Sequence, residues 1–404
     1  MTDPMAGSDR RRRLRTAIPA GVAVLFAAGA TAGPAQGAAA PATAATPMVS
    51  LVAPTGPYQA GTVRLDLVDH TRIDPTSPTG GFREVEVQMW YPAADTRGFP
   101  STPYMPPLAA AHFLASDGAL PGAELPRTTG HAGAPVDRRD GPYPVVLYSP
   151  GGEADGALDT DLVEDLVSRG YVVVTMDDTN ESPEVEFPGG RLVVGTFVPE
   201  TDAQSLEAQQ IRAADAGFVL DELTVLDHGG DPDAGHAALP AGLAGSLNLS
   251  QIGMFGWSLG GAASAQAMHD DPRIKAAVNM DGRFWGPLAQ QGVNRPFLLL
   301  TAADNTAQND PTIASFLDAS TGPRLHLFLD DAEHQTFTDA EELAPLFGLT
   351  PDQLTQFLGT IGPRTAVTDE RAYIEAFFDT YLRHHDSPLL DGPSPRFPDI
   401  QFEP

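Results

Sequence analysis

The chain has no cysteine, a single lysine (Lys275), and aromatic side chains at only 7% of positions. Without thiols there are no disulfides, iron–sulfur clusters or thiolate chemistry. Positive charge is scarce: 24 basic residues stand against 53 acidic ones in 404 residues, a formal net charge of −29. Lys and Arg supply most of the affinity for a phosphate backbone, so no nucleic-acid partner is expected, and electrostatic docking on anionic lipid is disfavoured. No repeat of fixed period and no H-E-x-x-H or comparable ligand spacing is visible, so neither a metal nor another cofactor is expected. Glycine and proline are plentiful instead, at 40 and 38 residues, and hydrophobic residues make up 42%. That composition describes a folded chain with many turns rather than a helical bundle or a disordered polymer.

Residues 1–47 read as a signal peptide with a small-residue linker. Arg10, Arg11, Arg12, Arg13 and Arg15 precede an apolar run from Ala17 to about Ala32, and small residues follow to Pro47. A basic start, a short apolar centre and a small-residue exit predict export and a secreted, extracellular protein. The apolar run is short for a membrane span, and no second one follows, so no stable span is expected after processing. Removing the segment leaves 51 acids against 19 bases, a charge of −32.

Residues 48–404 read as one catalytic domain. Gly61–Asp69 and Arg83–Tyr91 alternate apolar and polar positions and predict strands, the second stopping at Pro92. Residues 93–142 lack periodicity and read as a long surface excursion. From Tyr143 onward, short unbroken apolar runs alternate with helical patterns. The strands are Tyr143–Tyr148, Tyr171–Met176, Ile252–Phe255, Ala276–Met280, Pro296–Thr301 and Leu325–Leu329. The helices include 158–169, Leu206–Leu226 and Ala372–Arg383. In the second, Ile211, Ala214, Phe218, Val219 and Leu223 form one stripe. The pattern predicts an α/β fold with a mostly parallel doubly wound sheet and an antiparallel N-terminal edge. Residues 93–142 and 338–366 are insertions with the length to serve as lids.

Gly256-Trp257-Ser258-Leu259-Gly260 matches G-x-S-x-G between an apolar strand and a helix of small residues. That is the setting of a nucleophile elbow in an α/β-hydrolase. Ser258 is the candidate nucleophile. The Leu259 amide is the expected oxyanion donor, and the Gly152 amide in Ser149-Pro150-Gly151-Gly152 the second. A serine hydroxyl needs a base oriented by a carboxylate, in the order Ser, Asp/Glu, His. Of the histidines after Ser258, His334 alone lies in a polar loop after a late strand. His269 falls on the helix, His326 inside a strand, and His384 and His385 at a helix end. For the acid, Asp281 and Asp304 each end a strand at the carboxyl edge of the sheet. The general layout of the fold favours the later one, Asp304. Trp257, Phe284 and Trp285 are candidates for lining an apolar pocket.

The sequence resembles the plasma-type and intracellular type II platelet-activating factor acetylhydrolases, with their bacterial esterase and lipase relatives. The resemblance rests on VDHTRIDPTSP, REVEVQMWYP, VVLYSPGG, RAADAGFVLDEL, GWSLGG, NMDG and AEHQTFTD, and covers most of the chain after about residue 60. It implies a serine carboxylic-ester hydrolase acting on a small-molecule or lipid ester through an acyl-enzyme. It places the acid at the end of the strand after the nucleophile helix, which is Asp281. The mammalian members carry His-Gly where this chain has Pro150-Gly151. Cutinase-type polyester hydrolases share the Ser-Pro-Gly loop but place the acid one strand later, at Asp304. A non-catalytic binding protein on the same fold would lack the serine, the acid or the histidine.

Overall fold

The computed structural model describes residues 48–403, so the expected signal segment lies outside the described residues. Thirteen strands are present there: β1 (Gln59–Ile73), β2 (Phe82–Ala93), β3 (Ser101–Pro103), β4 (Arg127–Ala132), β5 (Tyr143–Ser149), β6 (Val172–Asp177), β7 (Glu184–Phe187), β8 (Arg191–Val194), β9 (Leu247–Trp257), β10 (Ile274–Met280), β11 (Phe297–Ala302), β12 (Arg324–Leu329) and β13 (Ile400–Phe402). Eleven of them form one sheet in the order β13-β12-β11-β10-β9-β5-β6-β2-β1-β4-β3, while β7 and β8 make a separate hairpin. From β12 to β6 the pairing is parallel; β2 pairs antiparallel with both β6 and β1.

The central strands are buried on both faces because alternate residues feed two cores. Val146 and Tyr148 of β5 join one cluster with Leu162, Val163 and Leu166 of the helix Thr160–Ser168 and with Tyr373, Phe377 and Phe378 of the helix Pro363–Arg383. Val145 and Leu147 join the other, with Val219 and Leu223 of the helix Asp202–Asp227 and Ala262 and Ala265 of the helix Leu259–Asp270. Unbroken apolar strands therefore suit a sheet covered on both sides. Strand order reverses between β5 and β9, since β6 lies on one side of β5 and β9 on the other. The carboxyl ends flanking that reversal form the crevice where open α/β sheets place their ligands.

The structure departs from expectation in three places. First, β2 runs through Pro92 to Ala93 rather than stopping, because a proline needs only its carbonyl to continue pairing, and the Asp137 N–H donates to it. Second, residues 93–142 are not a mere excursion. They add β3, β4 and the helix Pro107–Ser116, and β4 pairs parallel to β1 at the sheet's edge. Third, the buried face of Asp202–Asp227 is rotated from the predicted stripe: Ile211 is half-buried and Ala214 exposed, whereas Arg212 and Asp215 are fully buried. Charged residues paired in the interior are indistinguishable, by pattern, from solvent-facing ones. The insertion 338–366 packs on the earlier one: the Leu120 N–H donates to the Leu346 carbonyl, and the rings of Phe113 and Phe347 meet edge to face. At the opposite end of the sheet, Lys275 is exposed near the start of β10, where its ammonium donates to the Pro272 carbonyl.

Candidate active site

Ser258 sits between β9 and the helix Leu259–Asp270 with φ 53° and ψ −119°, a left-handed conformation that a side chain ordinarily avoids. Its neighbours make that turn sterically feasible. A Cβ on Gly260 would lie 2.0 Å from the Ser149 carbonyl oxygen, and one on Gly256 would lie 2.4 Å from the Gly260 carbonyl carbon. The strand, the helix and the loop after β5 thus meet backbone to backbone around the serine. The Ser258 N–H donates to the Met280 carbonyl at 2.7 Å, tying the turn to the end of β10.

Ser258 Oγ lies 3.0 Å from His334 Nε2. His334 Nδ1 lies 2.5 Å from Asp281 Oδ2. This leaves a tautomer with the proton on Nδ1, donating to the carboxylate, and Nε2 free to accept from the hydroxyl. The Asp281 side chain is 3% exposed and that of His334 is 42% exposed, so one end of the hydrogen-bonded chain is fixed in the interior and the other faces solvent. Asp281 Oδ1 accepts from the Ala302 N–H at 2.8 Å and from Asn305 Nδ2 at 3.0 Å. The carboxylate is therefore oriented by two donors on one oxygen while the other meets the histidine.

The histidine is held by its own segment. His334–Phe337 is a short 3₁₀ turn, capped by Glu333 and Thr336 through reciprocal bonds. Thr336 Oγ1 also donates to the Leu358 carbonyl at 2.9 Å, which attaches the turn to the insertion. Trp257 Nε1 donates to the His334 carbonyl at 2.9 Å, and the two rings lie 4.8 Å apart.

The loop after β5 approaches from the other side. A Cβ on Gly151 would come within 2.3 Å of the Trp257 ring, and one on Gly152 would lie 3.6 Å from Leu259 Cδ2. Among the described residues, neither the Gly152 N–H nor the Leu259 N–H has a backbone or side-chain acceptor. Both are available to a ligand beside Ser258.

The structure brings Ser258, Asp281 and His334 together, with Leu259 and Gly152 beside them. Asp304 is not at the histidine: it is exposed at the end of β11, while its neighbour Asn305 reaches Asp281. Phe284 is not at a pocket wall. Its ring stacks on Phe316 at 3.9 Å and is 1% exposed, because the chain turns into the core immediately after Gly282. Trp257 and Trp285 are also buried, the first as a clamp on the histidine segment and the second with its backbone N–H donating to Gln209.

Sequence reasoning passed over two asparagines. Asn305 was hidden behind Asp304. Asn279, fully buried, accepts from the Gly282 N–H and donates to its carbonyl, closing the turn on which Asp281 sits with φ 55°. A buried polar residue next to a left-handed turn was the available signal, in the run Asn279-Met280-Asp281-Gly282. Among the described residues no group of three or more histidine, aspartate or glutamate side chains is arranged to hold a metal, and no helix is long and apolar enough to cross a membrane.

The sheet order, the strained elbow and the histidine-bearing loop after β12 define an α/β-hydrolase. Residues 206–385 match the family described as platelet-activating factor acetylhydrolase, isoform II. A solved structure of ferulic acid esterase from Streptomyces cinnamoneus is 35% identical, with a TM-score of 0.76 over 88% of this chain and 99% of that one. A protein of Arthroderma benhamiae described as a probable 1-alkyl-2-acetylglycerophosphocholine esterase is 27% identical over 277 residues, 64% of this chain. The match spans 66% of that relative, just under two thirds of its length. The chain belongs to the platelet-activating factor acetylhydrolase isoform II family, a family of carboxylic-ester hydrolases.

Proposed function

We propose that this protein is a secreted serine esterase that works through an acyl-enzyme on Ser258. The observation that carries the reading is the continuous chain from Ser258 Oγ to His334 Nε2 at 3.0 Å and from His334 Nδ1 to Asp281 at 2.5 Å. In this reading Ser258 attacks the ester carbonyl while Nε2 takes its proton. Asp281 holds the imidazole in the required tautomer and stabilises the imidazolium that forms. The oxyanion of the tetrahedral intermediate is met by the Leu259 and Gly152 amides, each a donor of the kind that contributes a few kcal/mol to such a step. His334 then protonates the leaving alcohol, and water, deprotonated by the same nitrogen, releases the acyl group. No step calls for a metal or an organic cofactor.

Ser258→Ala tests the proposal directly. Hydrolysis of p-nitrophenyl acetate should vanish, together with labelling by a fluorophosphonate, while the thermal melt is retained. Persistent turnover would place the chemistry elsewhere, and an unreactive wild-type serine would favour a binding protein on this fold. The relatives' names offer two substrates to rank, a 2-acetyl glycerophosphocholine and a ferulate ester. Export is proposed from the basic and apolar pattern of residues 1–47. Its test is the amino terminus of protein recovered outside the producing cells: an intact Met1 would refute it.

A further inference from the structure

Arg212 is fully buried in the helix Asp202–Asp227 and lies under the loop that carries Gly152. Its Nη2 donates to the Gly151 carbonyl at 3.0 Å, and its Nη1 donates to the Pro150 carbonyl. The other side of the guanidinium is taken by Glu181, at 3.1 Å from Nε and 2.5 Å from Nη2, and by Asp178, 3.2 Å from Nη1. Glu181 and Asp178 are themselves buried, in the segment after β6. One side chain thus joins the ends of two adjacent strands to a helix.

The consequence lies in the peptide plane. The Gly151 carbonyl and the Gly152 N–H belong to the same trans peptide and point in opposite directions. Anchoring the carbonyl inward on Arg212 therefore turns the Gly152 N–H outward, toward the crevice shared with Ser258. Gly151 and Gly152 have no side chains to hold that plane by themselves, and isolated glycines readily adopt other conformations. We infer that Arg212 is a positioning residue for the oxyanion donor, fixing the Gly152 amide through the Pro150 and Gly151 carbonyls. A planar fork is suited to this: it can satisfy two carbonyls and a carboxylate at once, which an ammonium at the end of a lysine cannot do in the same geometry. The inference rests on the proposed role of Gly152 and adds what holds it.

The experiment compares wild type with Arg212→Lys, which keeps a cation opposite Glu181 and Asp178. On p-nitrophenyl acetate, kcat should fall by about 10²-fold with KM within about twofold, the size of losing one oxyanion donor. Affinity for a trifluoromethyl ketone, whose serine adduct carries the oxyanion, should fall by a similar factor. The acid limb of the kcat/KM profile against pH should stay in place, because the pair His334–Asp281 is untouched. A merely structural arginine would lower the folded fraction and leave the ketone-to-substrate ratio of the folded enzyme unchanged; that result overturns the inference, as does a displaced acid limb. If Arg212→Lys does not fold, Glu181→Gln must show the same pattern at smaller size, and its failure to do so is equally decisive. A wild-type enzyme that forms no ketone adduct at Ser258 refutes the esterase reading itself rather than the role of Arg212.

Discussion

At Ser258 the backbone is strained for the sake of where the hydroxyl points. A non-glycine residue in such a conformation costs on the order of 1–3 kcal/mol. Ser258→Gly should therefore abolish turnover yet raise the thermal midpoint, by about 1 kcal/mol of stability after glycine's entropic disadvantage is set against the relief. A lowered midpoint in a calorimetric scan would show that the elbow is relaxed. In the proposed mechanism the acid is Asp281, at the end of the strand next to the one that leads into Ser258. Asp281→Asn should reduce kcat by roughly 10⁴-fold, as the wrong tautomer does in such triads, while Asp304→Asn leaves steady-state rates nearly unchanged. Equal losses in both variants would contradict the geometry. Asn305→Ala removes one of the two donors on Asp281 Oδ1. Its expected effect is about 1 kcal/mol, or roughly fivefold in kcat, with KM unaltered.

At the level of elements, the helix after Ser258 can approach the sheet only because Gly260 and Gly261 in its first turn lack side chains. A Cβ on Gly261 would lie 2.0 Å from Asn279 Oδ1, the atom that accepts from the Gly282 N–H. Gly261→Ala should therefore push apart the helix after Ser258 and the turn bearing Asp281. We expect a loss of about 2 kcal/mol or more in urea melts, together with lost activity; a variant of normal stability would mean that Asn279 moves freely. This part of the molecule was legible from residues alone, since an apolar strand, three glycines and a run of alanines have few other ways to pack. The loop position of His334 was legible too, from a polar run directly after a late apolar strand. What escaped was set by pairing between distant segments. Arg212 and Asp215 carry charge and so suggest a surface, yet Asp215 is bound by Arg83 and Arg72 and Arg212 by Glu181. The edge strands β3 and β4 were invisible because three to six residues without alternation give no period to read. The choice between Asp281 and Asp304 came from family resemblance, as both end a buried strand.

The whole molecule stores an unusual amount of acid in its interior. Asp159, Asp161, Asp339, Glu341, Glu342 and Glu370 are buried around a single Arg371, which pairs with Asp161. Burial, reinforced by neighbouring carboxylates, pushes Glu341 up to about 8 and Glu342 up to about 7. Burial also raises Glu164 to about 7, against the N–H of Thr129 that favours its charged form. For an acid raised above its unfolded value, the folded chain holds the extra proton. That contribution is complete below the ordinary value of 4.5 and is lost as pH climbs through the raised values toward about 8. The thermal midpoint should therefore fall between about pH 5 and pH 8, the direction in which the chain's own negative charge also acts. A midpoint that rises across that interval would mean these carboxyls are ionised in the folded state. The lone lysine has a consequence of a different kind. Lys275 is exposed near the amino end of β10, whereas the crevice at Ser258 is at the carboxyl end, roughly 20 Å along the strand direction at about 3.3 Å per residue. Amine coupling to a solid support would find one side chain and the amino terminus, and every molecule held through Lys275 would share one attitude, with its Ser258 edge turned toward the liquid.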